Sequence, residues 1–169
     1  MTVPHDIVGQ FVDAAVDNHE LADQLLRQHP ALKSARWVGD SILRFLAIEN
    51  FTAGVRFLVA RGWPIDETDD LGATPLHDAI RANASDTALA LIELGANPNA
   101  HSETFDNPLH CAIGVGDARV VRALLDAGAN PTYTTYIGET AYDVLPGVRD
   151  STNEIMLMLM ERGLPAPDA

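Results

Sequence analysis

The chain has 169 residues, 47% of them hydrophobic, so it is long and apolar enough to bury a core and is not globally disordered. Its formal net charge of −13 argues against nucleic acid as a partner, whose phosphates would repel it, and favours a basic partner. Charged residues interrupt every apolar run before it reaches membrane-spanning length, and we expect no secretory signal and no membrane partner.

The first predicted unit, residues 4–35, consists of two amphipathic helices. Ile7 and Phe11 fall on one face of the first helix, and Asn18 is placed to cap the second. The unit lacks the proline-containing string found in later units, which is typical of a terminal unit with one face in solvent. We therefore interpret it as an N-terminal cap.

The second predicted unit, residues 36–68, contains Ser41, a residue type that caps helix N-termini. We expect a first helix over 42–48 and a return helix that ends at Gly62. Glycine is favoured there because the residue just past a helix end often adopts a left-handed conformation that strains other residues.

The third and fourth predicted units, residues 69–101 and 102–134, share a strict register. The string TPLHDA, which begins at Thr74, returns as NPLHCA at Asn107, and the glycine near the end of each unit recurs at the same spacing. A polar residue followed by proline suits the start of a helix, because the first residue caps it and proline has the backbone angle of the first helical position. A fixed period of about 33 residues indicates a stacked-repeat architecture.

The fifth predicted unit, residues 135–165, departs from this register, because the step from Gly128 to Gly163 is two residues longer than the period. Pro146 is expected to end the first helix of the unit early. The last helix is rich in methionine and other apolar residues. This pattern indicates either adaptable packing within the chain or a face for self-association.

The string and the period together resemble the ankyrin repeat, a unit of about 33 residues that forms a turn and two helices and has the signature TPLHxA. The match is complete at 74–79, differs only by Asn107 in the next unit, and weakens toward both ends of the chain. The resemblance implies an all-α fold, an ankyrin-repeat solenoid of about five helix-turn-helix units with short turn tips. We expect these units to form a single domain over residues 1–169.

In ankyrin repeat proteins the turn tips and first helices form a concave binding face, so the resemblance also implies which residues contact a partner. The set holds six acids and one arginine, with Trp37 and Tyr136 as aromatic anchors of the kind found at interfaces. The alternative is an acidic, solvated groove in which Trp37 packs on its own chain. Phe105 replaces the glycine of the other tips, which makes that turn different. The candidate partner-binding residues are Trp37, Val38, Asp40, Ile48, Glu49, Asp70, Leu71, Ala73, Arg81, Ala82, Glu103, Thr104, Asp106, Gly114, Val115, Tyr136, Ile137 and Glu139.

His77 and His110 are the strongest candidates for catalysis or metal binding, because they lie one period apart at the same point of two units. A zinc site needs three or four ligands, and no third ligand recurs with this pair. The resemblance implies a structural role instead, in which this histidine ties neighbouring turns together. Cys111, the single cysteine, is expected to be a buried thiol in a reducing, cytoplasmic environment. We therefore predict no catalytic residue, no cofactor and no metal.

These observations predict a non-enzymatic protein-protein interaction module, either an adaptor, a regulator or an inhibitor. Its partner is expected to be a protein with a basic and partly apolar patch, and the chain itself a monomer with weak self-association at most. Two alternatives stay open. One is a metal-dependent or hydrolytic enzyme that uses His77 and His110, and the other is structural homo-association through the methionine-rich last helix.

Overall fold

The computed structural model describes residues 3–103, 107–135, 137–146 and 150–165. Within these ranges the chain is mostly helical, with one two-stranded hairpin and one short 3-10 helix. The elements in chain order are α1 (His5–Asp17), α2 (His19–Gln28), the 3-10 helix (Pro30–Ser34), β1 (Arg36–Trp37), β2 (Asp40–Ser41), α3 (Ile42–Ile48), α4 (Thr52–Ala60), α5 (Pro75–Arg81), α6 (Ser85–Glu93), α7 (Pro108–Val115), α8 (Ala118–Asp126) and α9 (Asp150–Glu161).

The helices stack in two rows. Helices α3, α5 and α7 pack one on the next, and α4, α6 and α8 form the second row beside them. Each helix of the first row also packs against the helix that follows it in the chain, while α1 packs on α2 and α4 and α9 packs on α8. This arrangement confirms the predicted all-α solenoid of two-helix units.

The caps that the repeated strings predict are present. The Ser41 hydroxyl accepts a hydrogen bond from the Arg44 N–H at 3.2 Å, and the Asn107 side chain accepts one from the His110 N–H at 2.9 Å. At the other end of the helices, Gly95 has a φ of 90°, the left-handed conformation that closes the last turn. Local backbone requirements therefore set the start and end of each unit.

The core is a continuous apolar seam between neighbouring units. Leu58, Leu91 and Leu124 occupy the same point of α4, α6 and α8, and the side chain of each is fully buried. Burying one leucine stabilises a fold by about 1.5–3 kcal/mol. Since each of these helices contacts the next, the units depend on one another for burial of their apolar faces.

Backbone and side-chain hydrogen bonds also hold the units in register. The Asn97 N–H donates to Asp66 Oδ1 at 2.9 Å, and one period later the Asn130 N–H donates to Asn99 Oδ1 at 2.8 Å. Each bond joins the loop that follows one unit to the loop that follows the preceding unit. The same contact therefore recurs along the solenoid.

Two expectations drawn from the sequence are wrong. In the fifth unit a turn over residues 141–144 replaces the predicted first helix, because Asp143 accepts hydrogen bonds from the Thr140 N–H and hydroxyl at 2.7 Å and the residue before Pro146 disfavours helix. Cys111, expected to be buried, is half-buried against the edge of the core.

The apolar side chains of helix α9 are divided between a buried and an exposed side of the helix. Ile155, Met158 and Leu159 are buried against the rest of the solenoid. Leu157 and Met160 are 60% and 42% exposed on the other side of the helix. Adaptable packing therefore accounts for the three buried side chains, whereas Leu157 and Met160 remain exposed to solvent.

Candidate functional site

Three turn tips each expose one large apolar side chain. Val38, Leu71 and Ile137 are 75%, 46% and 63% exposed. Leu71 lies one period after Val38, and Ile137 lies two further periods along, so all three occupy the same position of their units. We call these three residues the tip ladder. Thr104, at the remaining position of this register, lies outside the described residues together with Asp106 and Tyr136.

The first tip is a tight hairpin. Strands β1 and β2 pair in antiparallel register, with Arg36 opposite Ser41 and Trp37 opposite Asp40. The turn between them places Val38 at φ 53° and Gly39 at φ 95°. Positive φ at both turn positions suits glycine and asparagine, and it is unusual for a β-branched residue such as valine.

The predicted acidic residues differ in their exposure to solvent. Glu49, Asp70 and Glu103 are exposed, whereas Asp40 and Glu139 are half-buried. Arg81, the single arginine of the predicted set, is exposed at the end of α5, and Ala82 and Gly114 are exposed near it in sequence register. Ile48 and Val115 are half-buried. Three of the five described acids are therefore fully accessible to a partner, and two are partly covered.

Two predicted contact residues face inward. Ala73 has no exposed surface, because Asp69 accepts hydrogen bonds from the N–H groups of Leu71 and Ala73 at 2.9 and 2.8 Å and folds that turn back onto the core. Ala73 is therefore removed from the candidate surface. Trp37 is half-buried, stacked on His5 with ring centroids 4.6 Å apart and set edge-on to Phe45 at 6.5 Å. It packs largely on its own chain, as the alternative expected.

The structure reveals an ionic cluster that the sequence analysis missed. Arg44 Nε lies 2.6 Å from Asp78 Oδ2, and the guanidinium also reaches Asp69 at 3.1 Å and Asp40 at 3.9 Å. The Arg44 and Asp78 side chains are only 11% and 10% exposed. The hydrogen bond with Asp78 raises the pKa of Arg44, so the charge is permanent. This pair ties the second unit to the third.

A small cleft of about 220 Å³ opens beside the cluster and is lined in part by Glu67. Burial raises the pKa of Glu67, and the hydrogen bond from the Ser41 hydroxyl and the charge of Arg44 offset this effect only in part. Burial acts in the same direction on Asp69, but its backbone hydrogen bonds and Arg44 outweigh it, and the pKa of Asp69 is lowered. Glu67 is therefore protonated at a higher pH than an ordinary glutamate, whereas Asp69 is protonated at a lower pH than an ordinary aspartate.

Replacing Glu67 with glutamine is expected to stabilise the protein slightly at pH 7. A carboxyl group whose pKa is raised on folding contributes stability below its unfolded pKa, and this contribution is lost as the pH rises through the folded value. Urea unfolding at pH 7 and pH 4 should show the gain at pH 7 and little difference at pH 4. Asp69→Asn is the matched control, since its lowered pKa predicts a loss at pH 7 that persists at pH 4 and disappears only as the pH falls below the unfolded value of 3.8.

The repeated strings match models of known repeats. A model described as ankyrin repeats (3 copies) matches residues 11–102, and a model of the single ankyrin repeat matches residues 105–136, which together exceed half of the chain. The chain belongs to the ankyrin repeat family. A search of curated proteins found no match.

The ankyrin register also explains the histidines and Arg44. His77 and His110 are buried, and each contacts the cap of its own helix: His77 Nδ1 accepts the Thr74 N–H at 3.2 Å, and His110 Nδ1 lies 3.0 Å from Asn107 Oδ1. Arg44 lies one period before His77, in the same slot of the second ankyrin repeat. This spacing could have singled out Arg44 in the sequence, but the ionic partners of Arg44 could be identified only from the fold.

The described ranges contain no group of three or more histidine, cysteine, aspartate or glutamate side chains placed to hold a metal ion. The two histidines of the ankyrin strings lie in the core, and Nδ1 of each contacts the capping side chain of its own helix. Their geometry is that of helix capping. Among the described helices, none has the length and apolarity needed to cross a bilayer.

Proposed function

We propose that this ankyrin repeat protein is a non-enzymatic module that binds another protein across its turn tips and first helices. The tip ladder carries the proposal. Single exposed apolar residues are common on protein surfaces, but here three of them repeat in register at the tips of separate units. A partner that spans several tips would bury all three.

The conformation of Val38 adds an independent argument. A β-branched residue at positive φ is strained by about 1–3 kcal/mol, and residues held in this way cluster at functional sites. The side chain is 75% exposed, so it contributes little packing that would offset the strain. A contact with a partner gives a physical reason for valine at a position suited to glycine or asparagine.

The charge of the surface indicates the chemistry of the partner. Asp70 and Glu103 are exposed next to Leu71 of the ladder, Glu49 is exposed at the end of α3, and the whole chain carries −13. We therefore propose a partner with a basic and partly apolar patch, not nucleic acid and not a membrane. Complementary charge speeds association and selects partners, while the apolar ladder supplies burial. The single cysteine cannot form a disulfide within the chain, which fits the reducing cytoplasm, and we propose that the chain acts there as a monomer.

The triple variant Val38→Ser, Leu71→Ser, Ile137→Ser is expected to weaken partner binding at least about tenfold, because it removes three apolar contacts of the kind that dominate interfaces. Quantitative capture from the source lysate, followed by calorimetry with the recovered partner, measures the loss. The matched control is Leu157→Ser, Met160→Ser on α9, which also removes exposed apolar side chains. If the α9 variant lost binding and the ladder variant kept it, the partner would bind at α9 and the proposed surface would be wrong.

A single substitution at the first tip separates stability from binding. Val38→Asn is expected to stabilise the fold by up to about 1 kcal/mol, because asparagine tolerates positive φ, while it weakens partner binding. Thermal unfolding and calorimetry on the same preparation give the two changes. A variant that gained stability and kept full affinity would show that Val38 is not part of the binding surface.

A further inference from the structure

A second surface lies beside the hairpin, where α1 meets the second unit. Helix α1 packs against α2 and α4, and Trp37 bridges it to Phe45 of α3. The cavity left beside this bridge has a volume of about 360 Å³. The residues that line it are three aromatic ones, Trp37, Phe45 and Phe51, and Asp13 and Asp17 together with two valines of α1.

The indole of Trp37 is held in a fixed orientation. A side chain at Gly9 would place its Cβ 2.9 Å from the indole, so the ring can lie against α1 only because this residue is glycine. His5 stacks on the indole with centroids 4.6 Å apart, and the Phe45 ring meets it at an angle of 81°. A glycine within a helix weakens the helix, and here it makes room for an aromatic wall.

The two carboxylates of the cavity are uncompensated. Asp13 and Asp17 are four residues apart on α1, so they lie on one face and repel each other. Both are exposed, and neither makes an ion pair or a side-chain hydrogen bond with the described part of the chain. Asp69 and Asp78 differ in this respect, since Arg44 neutralises them.

We propose that this cavity binds the side chain of an arginine presented by a protein partner. A guanidinium is planar, stacks on aromatic rings and donates paired hydrogen bonds to carboxylates, and this cavity offers rings and carboxylates together. The inference rests on the proposed function, because it names the residue type by which the basic partner is held beside the first tip. It locates a specific anchor in addition to the tip ladder.

The probe is the capped tripeptide acetyl-Gly-Arg-Gly-amide, observed through the indole N–H signals of the protein. The chain has two tryptophans, and Trp63 is 4% exposed in the core, so it serves as an internal reference for Trp37. The Trp37 signal should shift and saturate with a dissociation constant below about 10 mM, while that of Trp63 stays in place. The peptide with citrulline, a neutral isostere, should bind at least about tenfold more weakly.

Charge variants test the carboxylates. Asp13→Asn with Asp17→Asn should weaken the arginine peptide about tenfold or more, because two charged hydrogen-bond acceptors are lost. Glu20→Gln with Glu161→Gln removes the same net charge at two exposed positions that do not line the cavity, and should change the affinity less than about twofold.

Several results would overturn the inference: no saturable shift of Trp37, equal binding of the citrulline peptide, or equal or tighter binding of a lysine or leucine peptide. These failures are distinct from failure of the proposed function. If the ladder variant loses the partner while the arginine peptide leaves Trp37 unchanged, only the arginine site is wrong. If the peptide binds and the ladder variant keeps full partner affinity, the proposed surface is wrong and the cavity stands.

Discussion

Replacing Arg44 with methionine is expected to lower the free energy of unfolding by about 3 kcal/mol, the lower end of the range for breaking a buried ion pair. The Arg44 and Asp78 side chains are 11% and 10% exposed and lie 2.6 Å apart. Without the guanidinium, Asp78 keeps a nearly buried carboxylate with no neutralising charge. Most of the loss therefore arises from the residue left behind rather than from the value of the pair.

Urea unfolding followed by circular dichroism measures this change. Arg122→Met is the matched control, because Arg122 pairs with Glu154 at 3.0 Å but the two side chains are 56% and 53% exposed, and its loss should be at most about 1 kcal/mol. Adding Asp78→Leu to Arg44→Met should recover part of the stability, since it removes the stranded charge. Equal losses for Arg44→Met and Arg122→Met would contradict the burial argument.

Leu91→Ala is expected to destabilise the protein by about 2–5 kcal/mol, through the loss of buried surface and the cavity that remains. Leu91 is fully buried in α6, which packs on both α4 and α8, so the substitution affects two interfaces between ankyrin repeats at once. The same unfolding experiment measures it. Leu157→Ala, at a side chain that is 60% exposed, should change stability by less than about 0.5 kcal/mol.

A broadened transition for Leu91→Ala, with the first units unfolding apart from the last, would show that coupling through the seam is weaker than the packing indicates. A loss no greater than that of Leu157→Ala would show that the seam does not stabilise the stack. One cooperative transition, shifted to lower urea, is the expected result.

The repeated parts of the fold could be predicted from the sequence, because each depends on local backbone chemistry. Ser41 and Asn107 cap helices through their own side chains, and Gly95 closes a helix through its own φ. Such requirements recur in the second, third and fourth units whatever the neighbouring side chains are. The register therefore located helix ends, the apolar seam and the turn tips.

Features that depend on contacts between units could not be predicted in this way. Arg44 occupies the slot of His77, but its partner Asp78 lies in the next unit, and a different side chain in the slot gives a different contact. Trp37 was expected to be an aromatic anchor at its turn tip, but Gly9, far away in sequence, lets the indole pack on α1, where it lines a cavity. Ala73 lies at a surface register position, and the Asp69 turn directs it inward.

Hydrogen–deuterium exchange of the chain with and without its captured partner tests the binding surface most directly. We expect slower exchange in the presence of partner at the turn tips, residues 36–41 and 69–73, and in the first helices behind them. Exchange in α6 and α8, in the second row, should stay unchanged. Protection confined to α6, α8 or α9, with the tips unaffected, would contradict the proposal that the partner lies across the tips.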